Sequence, residues 1–142
     1  YGFANDVELQ QYLTPIMTLK SVISQLHTLQ IGESLGYNRG YIADHITRTA
    51  TIPVGHADGI NRIYGKGKGF VFINGKKASI IGNVCMDMIL VDVTEISCQE
   101  GDEVIVFDKT HTAETLAESA GTISYELITS MAHRIKRIYL ED

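Results

Sequence analysis

The chain has 142 residues, a length typical of one domain; 44% of the residues are hydrophobic and 20% are charged. This composition excludes a disordered chain, and no apolar run approaches the ~18–20 residues that cross a bilayer, which excludes a transmembrane protein. The net charge of −5 argues against nucleic-acid binding, which usually requires a basic surface. Only Cys85 and Cys98 are available for disulfides, and no secretory apolar segment opens the sequence, so we expect a cytoplasmic protein.

The chain does not open like an independent domain. Residues 1–14 lack a clear signal for the start of a domain, and the first six are typical of the end of a preceding domain. We therefore expect residues 1–14 to be a residual linker from an upstream domain and residues 15–142 to form the compact unit.

The middle of the chain has the pattern of a β protein. Residues 17–25 alternate with period 2, and residues 46–54 are rich in β-branched side chains. Residues 70–73 and 78–81 flank Asn74-Gly75, a pair typical of a tight hairpin turn. Two further strands are predicted over 86–93 and 104–107. Short strands separated by turn signals fit a small barrel or sandwich better than a parallel sheet, and we expect a mainly β, Greek-key-like barrel of about six or more strands.

The last third of the sequence changes to helical periodicity. A capping Thr112 and a terminating Gly121 predict a short helix over 112–120. A second helix is predicted from Thr122 or Ser124 to about residue 132, and the alternating residues 134–140 predict a closing strand.

Local motifs do not assign a chemistry. The sequence contains no zinc-ligand spacing, P-loop, GxSxG or HExxH motif. Residues 65–69 (GKGKG) lack the ending of a phosphate-binding loop. Taken singly, Tyr37, His56 and Met86 are also explained as packing or turn residues.

Five segments carry a stronger signal when they are taken together. They are 15–21 (PIMTLKS), 32–37 (GESLGY), 52–59 (IPVGHADG), 80–87 (IIGNVCMD) and 122–127 (TISYEL). In order and approximate spacing they resemble the C-terminal domain of the alanine racemases, pyridoxal-phosphate enzymes that interconvert L- and D-alanine. The resemblance extends over nearly the whole chain.

The resemblance implies that this chain is one part of an enzyme. The family has an N-terminal α/β barrel, whose lysine binds pyridoxal 5'-phosphate covalently, followed by a β domain like this one. Its members act as homodimers in which each active site combines the barrel of one subunit with loops of the other subunit's β domain. D-alanine implies a role in peptidoglycan synthesis, in some bacteria through a racemase fused behind a Mur ligase.

The resemblance also assigns roles to five residues. Tyr37 would be the catalytic base on the L-alanine face, and the Met86 N–H would bind the substrate carboxylate. Asp87 and His56 would line the substrate entrance, where the family usually has a tyrosine in place of His56. Tyr125 would donate its hydroxyl to the cofactor phosphate in its own subunit.

Two alternatives stay open at this point. The first is a related pyridoxal-phosphate amino-acid decarboxylase, whose typical Cys-Glu-Ser-Gly-Asp motif differs from Cys85-Met86-Asp87 here. The second is a non-catalytic β-barrel interaction module, which the acidic charge and the lack of paired surface aromatics weaken.

Overall fold

The computed structural model describes residues 2, 4 and 6–140, and strands predominate there. Three α-helices occur in this part of the chain, namely α1 Val7–Gln10, α2 Ala113–Ser119 and α3 Ser124–Thr129. The strands are β1 Leu19–Val22, β2 Gln25–Leu29, β3 Ser34–Leu35, β4 Tyr41–Ile42, β5 Thr47–Ile52, β6 Phe70–Ile73, β7 Lys76–Ile81, β8 Ile89–Asp92 and β9 Glu103–Phe107. None of the described helices has the length and apolarity that crossing a membrane requires. The mainly β class is confirmed, as are two short helices near the C-terminus.

Seven strands form one antiparallel sheet in the order β1-β9-β6-β7-β8-β5-β2. The edge strands β1 and β2 are consecutive in the chain and are joined only by Ile23 and Ser24. The Ile23 N–H donates to the Asp102 carbonyl and the Ser24 N–H to the Thr51 carbonyl, both at 2.9 Å. Asp102 adjoins β9 and Thr51 lies in β5, and these strands lie near opposite ends of the strand order, so the sheet must curl. The predicted barrel-like architecture is therefore confirmed.

The same link lies within the alternating stretch over 17–25. Ile23 is 1% exposed and lies in the core, whereas Ser24 is exposed and bonds to β5. Side chains keep alternating at Ile23 and Ser24, so the period-2 pattern continues there. The backbone, however, changes its hydrogen-bonding partner from the β9 side to β5 between these two residues. One alternating stretch therefore forms two strands, β1 and β2.

The predicted hairpin is present as β6 and β7. Asn74 and Gly75 have φ values of 49° and 75°, and Ile73 pairs with Lys76 across the turn. Both central residues thus occupy the left-handed region that a type I′ turn requires and that this residue pair accommodates.

The C-terminal helices cover the core at one end of the curled sheet. Leu116 of α2 and Leu127 and Ile128 of α3 are buried among the strand side chains. The Thr112 hydroxyl accepts the Thr115 N–H at 3.2 Å, which confirms the predicted cap of α2. α3 ends at Thr129, three residues before the predicted end.

The predicted closing strand over 134–140 is wrong. No strand forms there within the described residues, and Ile138, Tyr139 and Leu140 are 71%, 87% and 88% exposed. Alternation of charged and apolar residues indicates a strand only where a neighbouring strand offers its backbone. Residues 1, 3, 5, 141 and 142, the ends of the predicted linker and domain, lie outside the described residues. α1 lies within the predicted linker, and its residues are mostly exposed.

Candidate functional site

The loop between β7 and β8, residues 82–88, carries two of the predicted site residues. β8 begins at Ile89, so Met86 and Asp87 lie in a loop and not in the strand predicted over 86–93. The Cys85 N–H donates to the Met88 carbonyl at 3.0 Å and closes a turn. Within residues 2, 4 and 6–140, no hydrogen bond engages the N–H groups of Met86 and Asp87. Two adjacent backbone donors are therefore available at this turn.

The turn that contains His56 is seated directly on this loop. The His56 N–H donates to the Cys85 carbonyl at 2.9 Å, and the Ala57 N–H donates to the Met86 carbonyl at 2.8 Å. A Cβ atom on Gly55 would lie 2.5 Å from the Met88 nitrogen and 2.7 Å from the Met86 carbonyl oxygen. The backbones approach so closely that only glycine fits at position 55.

Tyr37 lies in a third loop, which contacts the same β7–β8 loop. The side-chain amide of Asn83 donates to the Tyr37 carbonyl at 3.0 Å. Tyr37 begins a short 3₁₀ turn between β3 and β4, in which Asn38 has a φ of 56°, a conformation that asparagine tolerates. The Tyr37 side chain is 71% exposed, and its hydroxyl makes no hydrogen bond within the described residues. The phenol therefore projects away from the domain.

The structure thus gathers four of the five predicted residues around one loop. Tyr37 is tied to it through Asn83 and His56 through the Cys85 carbonyl, while Met86 and Asp87 belong to it. Asn83 belongs to the 80–87 segment, but nothing in the sequence assigned it a role of its own.

Tyr125 occupies a different part of the surface. It is the second residue of α3, is 37% exposed, and lines a cavity of about 170 Å³ beside α2. The other lining residues are Ala4, Glu114, Glu118, Thr122, Ile123 and Ser124, and none belongs to the loops around Met86. Its backbone carbonyl accepts the Thr129 hydroxyl at 2.7 Å.

An ion-pair network that the sequence analysis missed connects two of the loops. Arg134 donates from Nε to Asp58 Oδ1 at 2.7 Å and from Nη2 to Asp58 Oδ2 at 3.0 Å. The same Nη2 donates to Asp87 Oδ1 at 2.7 Å. Asp58 Oδ2 also accepts the Gly55 N–H at 2.8 Å. One guanidinium group therefore links the His56 turn to the Met86 loop.

The pKa of Asp58 is lowered below its ordinary value near 3.8. Burial alone would raise this pKa, since Asp58 is only 8% exposed, but the hydrogen bonds from Arg134 and Gly55 and the positive charge of Arg134 outweigh burial. The hydrogen bonds to Asp58, followed by those to Asp87, raise the pKa of Arg134. Both partners are therefore charged at neutral pH.

Asp58 should contribute to stability only where it is ionised. Its folded pKa is lower than its ordinary value, so this contribution is present above pH 3.8 and is lost as the pH falls through the folded pKa. We expect Asp58→Asn to reduce the free energy of unfolding at pH 7 by about 1 kcal/mol, because Arg134 is half exposed and solvent screens the pair. Urea unfolding of both proteins from pH 7 to pH 3 should show the difference shrinking below pH 3.8. A constant difference would contradict this role.

Comparison with known families identifies the domain. The family model described as alanine racemase, C-terminal domain, matches residues 16–139. The chain belongs to this family.

Curated relatives agree with this assignment. Alanine racemase 1 of Clostridium acetobutylicum is 39% identical over 150 residues, which cover 100% of this chain and 39% of that protein. The alanine racemase of Mycobacterium leprae is 41% identical over 135 residues, which cover 91% of this chain and 34% of that protein. The chain therefore spans less than two fifths of the length of these curated relatives.

Solved structures show the same fold. The biosynthetic alanine racemase of Pseudomonas aeruginosa superimposes with a TM-score of 0.90 at 31% identity, covering 99% of this chain and 40% of that one. The alanine racemase of Bartonella henselae, solved with covalently bound pyridoxal phosphate, gives a TM-score of 0.82 at 34% identity, covering 87% of this chain and 34% of that one. This alanine racemase C-terminal domain thus has the architecture of its relatives.

Proposed function

We propose that this chain is the C-terminal domain of a pyridoxal-phosphate-dependent alanine racemase that interconverts L- and D-alanine. In this proposal the chain follows a barrel domain in the full-length racemase, which either is a separate protein or is fused behind a Mur ligase. The racemase acts as a cytoplasmic homodimer and supplies D-alanine for peptidoglycan. The observation that carries the proposal is the family match over 16–139, together with the gathering of Tyr37, His56, Met86 and Asp87 around one loop.

Tyr37 acts as the base on the L-alanine face. Racemisation requires one group to remove the α-proton and another group, on the opposite face, to return a proton. The Tyr37 hydroxyl is exposed and makes no hydrogen bond within the described residues, as expected for a group whose working partners lie in another domain or subunit. The opposite face is served by a lysine of the barrel domain.

Met86 binds the substrate carboxylate through its backbone N–H. This donor makes no hydrogen bond in the described part of the chain, and the N–H of Asp87 lies beside it. Hydrogen bonds from backbone N–H groups to an ionised acceptor are among the stronger ones in proteins. The exposed Met86 thioether is not needed for this contact, whereas the conformation of the loop is. Asp87 and His56 line the entrance beside it.

One residue of this chain, Tyr125, is suited to contact a pyridoxal phosphate. When bound, that cofactor supplies the electron sink that stabilises the carbanion formed at the substrate Cα. The Tyr125 hydroxyl would hold the phosphate, next to the cavity beside α2. Glu114 and Glu118 line this cavity, and no described lysine or arginine does. The charge of the phosphate must therefore be balanced by groups of the barrel domain.

Reconstitution with a barrel domain tests this function. The chain is fused to, or mixed with, the barrel domain of a relative, pyridoxal phosphate is added, and conversion of L- to D-alanine is followed. We expect activity from the combined protein and none from the chain alone, because the lysine lies in the barrel. Release of carbon dioxide from an amino acid in place of racemisation would favour a decarboxylase. Absence of both activities, with the cofactor bound and the protein folded, would favour an interaction module.

A further inference from the structure

We propose that Arg134 is a positioning residue that allows the Met86 loop to accept a carboxylate. The inference rests on the proposed function, since it concerns how the alanine carboxylate is held. Arg134 does not occur in the five segments that suggested the site, and it lies in a stretch predicted to be a strand. Its guanidinium nevertheless contacts the His56 turn at Asp58 and the Met86 loop at Asp87.

The first reason is electrostatic. A carboxylate bound to the N–H of Met86 lies one residue away from the carboxylate of Asp87, and two like charges at such a distance repel each other. Arg134 Nη2 lies 2.7 Å from Asp87 Oδ1 and neutralises that charge. When Asp87 is paired with Arg134, the loop carries little net negative charge. Its free N–H groups can then donate hydrogen bonds to a bound anion.

The second reason is geometric. Nε and Nη2 of Arg134 form a fork on the two oxygens of Asp58, and Nη2 reaches Asp87 at the same time. Asp58 is 8% exposed and accepts the Gly55 N–H, so it is anchored in the turn that supports His56. A guanidinium fork orients such a pair of carboxylates, whereas a lysine ammonium offers a point charge without that geometry.

A double-mutant cycle in the reconstituted racemase tests the inference. We expect Arg134→Gln to raise the KM for L-alanine about tenfold, while kcat changes less, since contacting charged groups typically couple at this level. In an Asp87→Asn background the same substitution should raise KM by less than about threefold, because the charge that Arg134 neutralises is gone. Thermal unfolding and cofactor absorbance are recorded for every variant.

Arg137→Gln is the matched control. Arg137 lies three residues further along, and among the described residues it donates only to the Met131 carbonyl, at 3.2 Å, so its loss should leave KM unchanged. If Arg134→Gln fails to fold, Arg134→Lys replaces it in the cycle; it keeps the charge, loses the fork and should raise KM about threefold with the same dependence on Asp87.

The outcomes separate the inference from the function on which it rests. An equal rise in KM with and without the Asp87 carboxylate would show that Arg134 does not act by pairing with Asp87, and would overturn the inference. An unchanged KM in the Arg134 variants would also overturn it. Loss of racemisation in the unsubstituted reconstituted protein, by contrast, would overturn the proposed function itself.

Discussion

Tyr37→Phe in the reconstituted racemase is expected to lower kcat for conversion of L- to D-alanine by about 10²–10⁴-fold, the usual contribution of a positioned acid–base group. The substitution removes only the hydroxyl. The side chain is 71% exposed and the loop is held through the backbone carbonyl of Tyr37, so the fold and the loop should be unaffected. The measurement is the rate of D-alanine formation, with cofactor absorbance as evidence that the cofactor is still bound.

Tyr139→Phe is the matched control for this substitution. Tyr139 is 87% exposed and lies outside the loops of the site, so kcat should not change. If Tyr37→Phe also left kcat unchanged, Tyr37 would not be the base. A rise in KM alone would make it a substrate contact and not an acid–base group.

Gly55→Ala is expected to damage the site through the backbone. The added Cβ would lie between 2.5 and 2.7 Å from the Met88 nitrogen and the carbonyl oxygens of Cys85 and Met86, and none of these atoms can move without displacing the loop. We expect a loss of about 1–3 kcal/mol in the free energy of unfolding, typical of overpacking. We also expect a fall of about 100-fold in kcat/KM, because a shift near 1 Å of the Met86 N–H misplaces the substrate.

Gly101→Ala separates the loss of stability from the loss of activity. Gly101 has a φ of 91° and no atom within 4 Å of its added Cβ, so the substitution strains the backbone away from the loops of the site and from the Tyr125 cavity. It should lower stability by roughly 1–2 kcal/mol, the cost of a left-handed conformation for alanine, while kcat/KM stays unchanged. Equal losses of activity in both variants would indicate general destabilisation and contradict the specific role of Gly55.

The parts of the fold that were predicted correctly depend on neighbouring residues. The β6–β7 turn follows from the positive φ angles that Asn74 and Gly75 adopt, and the start of α2 from the hydroxyl of Thr112. The local pattern was not sufficient where a distant partner decides the structure. Residues 17–25 alternate without interruption, yet they divide at Ile23 and Ser24 because these two residues bond to different strands.

The residues of the candidate site also differ in whether the sequence alone could reveal them. Tyr37, His56, Met86, Asp87 and Tyr125 were selected from ordered motifs, since residue type and order can be recognised without coordinates. Arg134 could not be selected, because its ion pairs join residues 76 and 47 positions away in the chain. Its local pattern indicated a strand.

Short-range chemistry was thus sufficient to establish the mainly β class, the hairpin turn, the capped helix and the residues that resemble a racemase site. Pairing of β5 with β8 was needed to seat the His56 turn on the Met86 loop, and only the tertiary fold brings Asn83 against the Tyr37 turn. Turns and caps are stabilised by atoms a few residues apart. A site built from three loops exists only after non-local strand pairing has brought those loops together.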